Sequence, residues 1–357
     1  MDTKMSKIDI KKIILDFTER REGVKVSEVI KETGFSRAYI NRFLNELREE
    51  GKIVLIGRTN KAHYVKADKD FILSAKKGVL SFRKKIKNRN ISEDAVLKQI
   101  VQETGIFIGL QKNIEDILNY AFTEMLNNAI DHSRSEEIEV RFQEMDGSIK
   151  FEVTDLGIGI FNNIMQKRGL ANELEAAQDL LKGKQTTAPQ QHTGEGVFFT
   201  SKLADTFAII SSNKKLTYNN IVDDIFLQDI KFRKGTKVTF VISEDSKRDL
   251  ESVFKEYSGD ASETLDFDVT KVAVRLYKMG NIYISRSQAR RILSGLDKFK
   301  TIVLDFRHIN TVGQSFADQI FRVWHNEHPG IVIETANSNE NIDMMIERAR
   351  NVDPGQK

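Results

Sequence analysis

The sequence predicts a multidomain protein of mixed α+β and α/β class, and three observations carry that prediction. At 357 residues the chain exceeds what one hydrophobic core usually serves. The hydrophobic period changes along it, from short helices with a hairpin, to long helices with strands, to strands alternating with helices. Charge is also divided: residues 1–90 hold 23 Lys and Arg against 12 Asp and Glu, a net +11, while the remainder hold 32 against 40, a net −8. A basic end on an acidic body points to a polyanionic partner, and a solvated basic surface would look the same. No apolar stretch approaches the roughly 20 residues of a membrane span, so no membrane partner is expected. Without cysteine there is no disulfide framework and no thiolate ligand or nucleophile. The N-terminus alternates lysines with apolar residues, unlike a secretory signal, so the expected location is cytoplasmic.

Residues 1–68 form the first expected domain. Ile10, Ile13, Ile14 and Phe17 recur at helical spacing, and two further amphipathic helices follow around Val26–Ile30 and Ser36–Leu47. Ser27 and Ser36 suit N-caps, Gly34 the intervening turn, and Gly51 the end of the third helix. Two short apolar runs around residues 57–60 read as a hairpin. Three helices and a hairpin over about residues 8–66 resemble a winged helix-turn-helix. That resemblance implies double-stranded DNA as partner, with Ser36, Arg37, Tyr39, Asn41 and Arg42 on the third helix facing bases, and Arg58, Lys61 and His63 in the wing touching phosphate. Winged helices that serve only protein contacts are the alternative. Residues 69–90 are expected to be a basic helical connector, with a helix over 71–87.

The second expected domain, residues 91–245, begins with two long helices. Within the second, Glu124 and Asn128 are four apart and share one face. A carboxylate that polarises a water beside an amide oxygen that ligates Mg²⁺ is one use of that pair; a solvated helix face is the other. A strand through Phe151–Thr154 runs into Asp155-Leu156-Gly157-Ile158-Gly159, whose glycines let backbone approach a ligand and whose Asp can accept from an exocyclic amine. Taken singly, that motif also describes a tight turn. Thr193, Gly194, Glu195, Gly196 and Val197 open a helix whose N-terminal amides suit phosphate oxygens. Gly235-Thr236 precedes the last strand. Four such motifs in this order resemble the GHKL superfamily of gyrase, heat-shock chaperone, mismatch-repair and histidine-kinase ATPase domains, an α/β sandwich. Glu-x-x-x-Asn-Ala-x-Asp over Glu124–Asp131 matches its N-box, and the three glycine segments match the rest. The resemblance implies ATP and Mg²⁺ as cofactors, Glu124 as general base, Asn128 as metal ligand, Asp155 as adenine reader, Asp131, Gly157, Gly159 and Thr236 among the nucleotide contacts, and residues 182–197 as a lid. The wording around Asn128 is closest to the anti-sigma-factor serine kinases, whereas Gly196-Val197-Phe198 departs from the usual Gly-Leu-Gly continuation. No His stands in the preceding helix to accept phosphate, so a histidine kinase is not expected.

Residues 264–352 alternate strands, at 272–276, 281–284, 302–306 and 331–335, with helices near 286–297, 314–326 and 339–350, which predicts a small α/β domain with a partly parallel sheet. The stretch from Ile302 to Ala317 is similar to STAS domains, the fold of anti-anti-sigma factors. In that family a serine at the following helix N-terminus accepts phosphate. Ser315 occupies the place, but Gly-Gln-Ser-Phe replaces Asp-Ser-Ser-Gly, so an N-cap role is the expectation and phosphoacceptor the alternative. The domain order resembles that of a bacterial regulator family. The expected function is an ATP-binding, ATP-hydrolysing DNA-binding transcriptional regulator that switches with nucleotide state, with a protein partner through the STAS-like domain and a homodimer compatible with the pattern. The rival is a serine/threonine kinase acting on a STAS-like domain.

Overall fold

The computed structural model describes residues 9–20, 23–56, 63–68, 81–183, 195–257, 268–274, 283 and 285–351. The chain forms two compact units. The first comprises Met1–Ile158, Ala204–Phe207 and Gly235–Lys247, and the second Gly159–Leu203, Ala208–Lys234 and Arg248–Lys357.

The first unit starts with helices α1 (Ile10–Arg20), α2 (Val26–Thr33) and α3 (Arg37–Glu49) and the antiparallel pair β1 (Ile53–Ile56) and β2 (His63–Lys66). Their apolar stripes converge on fully buried Ile14, Val29, Ile40, Leu44 and Leu47. Val24 exchanges two 2.7 Å backbone hydrogen bonds with Tyr64, which ties the segment before α2 to the hairpin. Ser36 caps α3, accepting from the Tyr39 amide at 3.3 Å. The predicted cap at Ser27 is incorrect: α2 begins earlier, because the Glu28 carboxylate accepts from the Lys25 amide at 3.1 Å and satisfies the helix start from within.

Of the helix predicted over 71–87, residues 71–80 lie outside the described residues, and Ser81–Lys87 form strand β3 instead. Phe82 is buried and Ile86, on the same face four residues on, half-buried, while the lysines and arginine between them stay exposed, and pairing along the whole length of a neighbouring strand outweighs the helical preference of the lysines. β3 pairs antiparallel with β4 (Glu137–Met145), Phe82 opposite Phe142 and Ile86 opposite Ile138. Its charges blunt a sheet edge. Helices α4 (Glu93–Thr104) and α5 (Lys112–His132) follow, and with β5 (Ser148–Asp155), β6 (Thr206–Asn219) and β7 (Asp224–Ser243) the sheet runs β3-β4-β5-β7-β6. An aromatic stack fixes α5 on this sheet: Phe122 meets Phe142 edge-on at 5.0 Å, Phe142 stacks on Phe151 at 5.4 Å, and Phe151 on Phe240 at 4.8 Å.

The second unit holds α6 (Ile160–Arg168), α7 (Glu173–Leu181), α8 (Gly196–Leu203), the outer lengths of β6 and β7, α9 (Leu250–Tyr257) and a parallel three-stranded sheet, β10-β9-β8. Its strands are β8 (Val269–Ala273), β9 (Thr301–Asp305) and β10 (Val332–Ala336), with α10 (Arg286–Leu293), α11 (Gln314–Asp318) and α12 (Glu340–Arg350) between and after them. α11 continues through a π-helical turn at Gln319–Trp324. The predicted strand at 272–276 starts at Val269 instead. Most of the one at 281–284 lies outside the described residues, apart from Tyr283, which bridges Val312 in parallel. Gly313, in extended conformation, caps α11, so Ser315 stands one residue inside the helix rather than at the predicted cap.

Candidate functional site

The motif residues of the first unit depend on the seat of α5. With Phe122, Met125, Leu126 and Ala129 buried toward the sheet, Glu124 and Asn128 fall on the opposite, half-buried side one turn apart, and Asp131 is exposed in the last turn. The helix end is clasped from the sheet edge: Asn88 Nδ2 donates to Ile130 O at 3.2 Å and to Ser135 O at 3.0 Å.

Asp155 closes β5, paired with Ile138 of β4 and 4 % exposed. Its Oδ1 accepts from the Gly157 amide at 2.8 Å, turning the chain sharply after the strand. The turn is held from both sides. On one side the Leu156 amide donates to Ser135 Oγ at 3.1 Å and the Ile158 amide to Ser133 O at 2.9 Å. A Cβ on Gly157 would lie 1.8 Å from that same Ser133 oxygen. On the other side Gly235, at φ +74°, comes so close that its Cβ would lie 2.2 Å from Asp155 O. Thr236 is buried next to it. Both glycines are therefore required by contact. The result is a buried carboxylate at the end of a sheet, in the same unit as a carboxylate and an amide one turn apart on a helix.

In the second unit Gly159, at φ +82°, starts α6, and its carbonyl accepts from the Asn163 amide at 3.0 Å. Gly196 opens α8, with Glu195 and Val197 half-buried beside it, and the Glu195 carbonyl receives the Phe199 amide at 2.9 Å. Thr193, Gly194 and most of the predicted lid lie outside the described residues, as do Arg58 and Lys61 of the predicted wing. On α3, Ser36, Arg37, Tyr39 and Arg42 are exposed and Asn41 is half-buried. The Arg42 guanidinium lies over the rings of Tyr39 and Phe43, at 5.2 and 4.8 Å. Ser315 is exposed in the first turn of α11.

Three supporting residues escaped sequence reasoning: Ser133, Ser135 and Asn88. The serines flank Arg134, whose φ of +57° marks a turn, and a Ser-Arg-Ser run just after a helix end was the available signal. Asn88 carried none, since its partners stand more than forty residues away. Among the described residues no group of three or more His, Asp or Glu is placed to hold a metal ion. Mg²⁺ that keeps most of its waters needs only one or two protein oxygens, which the Glu124 and Asn128 face offers. No helix among the described residues is long and apolar enough to cross a membrane.

Residues 93–222 match the family model of the histidine kinase-like ATPase domain, and residues 288–343 that of a STAS-like domain of unknown function (DUF4325). No curated protein matches the chain. The chain thus combines a histidine kinase-like ATPase domain of GHKL type with a C-terminal STAS-like domain.

The contact at Gly235 is testable. Gly235→Ala should combine backbone strain of about 1–2 kcal/mol with displacement of Asp155, and so unfold at lower denaturant than Gly147→Ala. Gly147 has the same φ of +74° but nothing within 4 Å of its would-be Cβ, so it carries the strain alone. Equal denaturation midpoints for the two variants would show that the close approach is dispensable.

Proposed function

We propose that this chain is an ATP·Mg²⁺-binding, ATP-hydrolysing DNA-binding regulator whose nucleotide state sets its affinity for DNA. The observation that carries the nucleotide half is the pairing, in one unit, of the half-buried Glu124 and Asn128 face with the Asp155 turn clamped between Ser133 and Gly235. Asp155 would accept from the adenine amino group and so select that base. The Asn128 amide oxygen would hold Mg²⁺, whose part is to neutralise phosphate charge. Glu124, a turn away, would orient a water and accept its proton. Glu195, Gly196 and Val197 at the start of α8 are the proposed phosphate contacts, with Thr193 and Gly194 preceding them.

The DNA half rests on α1–α3 and the β1/β2 hairpin, which we take as a winged helix, and on the exposed Arg37, Tyr39 and Arg42 of α3 together with the +11 charge of residues 1–90. A route between the two halves lies within the first unit. Arg48 at the end of α3 donates to Gln102 O of α4 at 3.4 Å, and a Cβ on Gly105 would lie 2.7 Å from Val54 of β1. α4 leads directly into α5. A nucleotide that favours one seating of α5 could bias the hairpin and α3 only through its differential affinity for the two arrangements. The second reading, a serine kinase acting on a STAS-like domain, is favoured by the exposed hydroxyl of Ser315. Incubation with γ-labelled ATP separates the two, since hydrolysis yields free phosphate and the kinase yields labelled protein.

Two outcomes are expected. Glu124→Ala should lower turnover by about 10²- to 10⁴-fold with ATP affinity retained. Asn128→Ala should lose the Mg²⁺-dependent part of binding, and Asp155→Asn should weaken binding by roughly 1–3 kcal/mol. Nucleotide titration and phosphate release measure all three, and unchanged hydrolysis by Glu124→Ala removes the assignment. For DNA, the intact chain should bind duplex with an affinity that falls steeply with salt, that differs between ATP-analogue and ADP, and that drops in Arg37→Glu/Arg42→Glu. Absence of duplex binding at low salt would leave α1–α3 as a protein-contact module, and equal DNA affinity with ATP analogue and ADP would remove the switch and leave the kinase reading as the stronger one.

A further inference from the structure

A second cluster of charge lies in the other unit, where β8 and β9 end. The C-terminal edge of a parallel sheet is where α/β folds usually take ligands. There Lys271 of β8, Asp305 at the end of β9 and Arg307 just beyond it meet Lys202 of α8 and the β6–β7 turn, around a cavity of about 30 Å³. That is room for about one water-sized group.

The charges are unequally held. Asp305 is buried and engaged: its Oδ1 accepts from the Arg307 amide and from Asn337 Nδ2, each at 2.9 Å, and Lys271 Nζ stands 3.4 Å from its Oδ2. Arg307 spends its guanidinium on the turn, donating to Asp223 Oδ2 at 2.6 Å and to the Asp223 carbonyl. Lys271 also reaches Asp223, at 3.4 Å. Lys202 differs from both. Its Nζ sits 5.4 Å from the ring centres of Phe198 and Tyr257 and forms no carboxylate ion pair among the described residues. Enclosure among those rings and the neighbouring Lys271 push its pKa down to about 8. A half-buried ammonium that faces only rings and more distant carboxylates is costly, and an anion in the cavity would lower that cost. Asp223 is the exposed member of the set: its side chain is 65 % exposed, on a turn whose Ile221 and Val222 are also exposed, so it covers the cations from outside.

We propose that Lys202, Lys271 and Arg307 form a binding site for a small phosphate-bearing anion, and that Asp223 occupies it as a built-in stand-in which the ligand displaces. The cavity is too small for a phosphate group while Asp223 stays. Binding therefore frees the Asn219–Asp224 turn from Arg307, and ligand affinity is set by competition with the Asp223 carboxylate. The site shares no residue with the proposed nucleotide contacts.

The test is titration of the intact chain with inorganic phosphate, followed by calorimetry and by hydrogen exchange of the 219–224 amides. Saturating phosphate should speed exchange across that turn in the unsubstituted protein. Asp223→Asn should bind phosphate several-fold more tightly, and Lys202→Met should bind it several-fold more weakly, while Asp155→Asn, placed at the nucleotide site, should leave it unchanged. Near pH 8 binding should take up a proton as Lys202 becomes fully charged among Lys271, Asp223, Asp305 and Glu256. Calorimetry in two buffers of different ionisation enthalpy reads that uptake, and Lys202→Met abolishes it. Exchange at the turn that ignores phosphate, or affinity that ignores Asp223→Asn, would show a closed ion-pair network and overturn the proposal.

Discussion

The seat of α5 on its sheet is the constraint on which the candidate site depends. Successive residues of a helix are rotated by about 100°, so fixing which residues face the sheet also fixes which face away. The run of rings from Phe122 through Phe142 and Phe151 to Phe240 does the fixing, and Glu124 and Asn128 are left half-buried on the far side. The Asp155 turn obeys a second, backbone-level constraint. Ser133 O on one side and Gly235 on the other approach so closely that neither Gly157 nor Gly235 has room for a side chain. A packed aromatic core sets the side of α5 on which Glu124 and Asn128 lie, and two close backbone contacts hold the turn that carries the buried Asp155.

The second unit uses buried charge in another way. Lys182, just after α7, donates from Nζ to Arg291 O at 2.9 Å and Ser294 O at 2.7 Å, so it satisfies carbonyls at the end of α10. Its own carbonyl accepts from Thr270 Oγ1 of β8 at 2.6 Å, and burial pushes its pKa down to about 8. Arg291 reinforces the same contact, reaching Glu175 at 3.1 Å and Gln178 at 3.3 Å on α7. The segment expected to act as a lid therefore starts from a residue locked onto the α10 and β8 elements. Loss of the Lys182 amine would take a donor from both helix-end carbonyls.

What was legible in the sequence followed from local periodicity. The helix carrying Glu124 and Asn128 was readable because Phe122, Leu126 and Ala129 repeat at helical spacing, and the Asp155 turn because glycines cluster where a strand ends. The parallel sheet of the C-terminal unit followed from alternation of strands and helices. β3 was misread because Phe82 and Ile86 stand four apart, a spacing that also fits a helix, with Lys84 between them on the same face. Its partner strand lies about fifty residues on, beyond any local window. Asn88, Lys182 and Lys202 were invisible for the same reason, since each acquires its role only from chain distant in sequence. The serine caps show the finer limit: Ser36 was correct, whereas Ser27 and Ser315 each lost the cap to a neighbour, Lys25 and Gly313.

The central claim is that the first unit binds ATP between the α5 face and the Asp155 turn. Hydrogen exchange of the intact chain, with and without ATP and Mg²⁺, tests it most directly. The account predicts slowed exchange confined in this unit to residues 124–131 and 155–158, dependent on Mg²⁺ and reproduced less strongly by GTP. Exchange there that is unaffected by saturating ATP would contradict it.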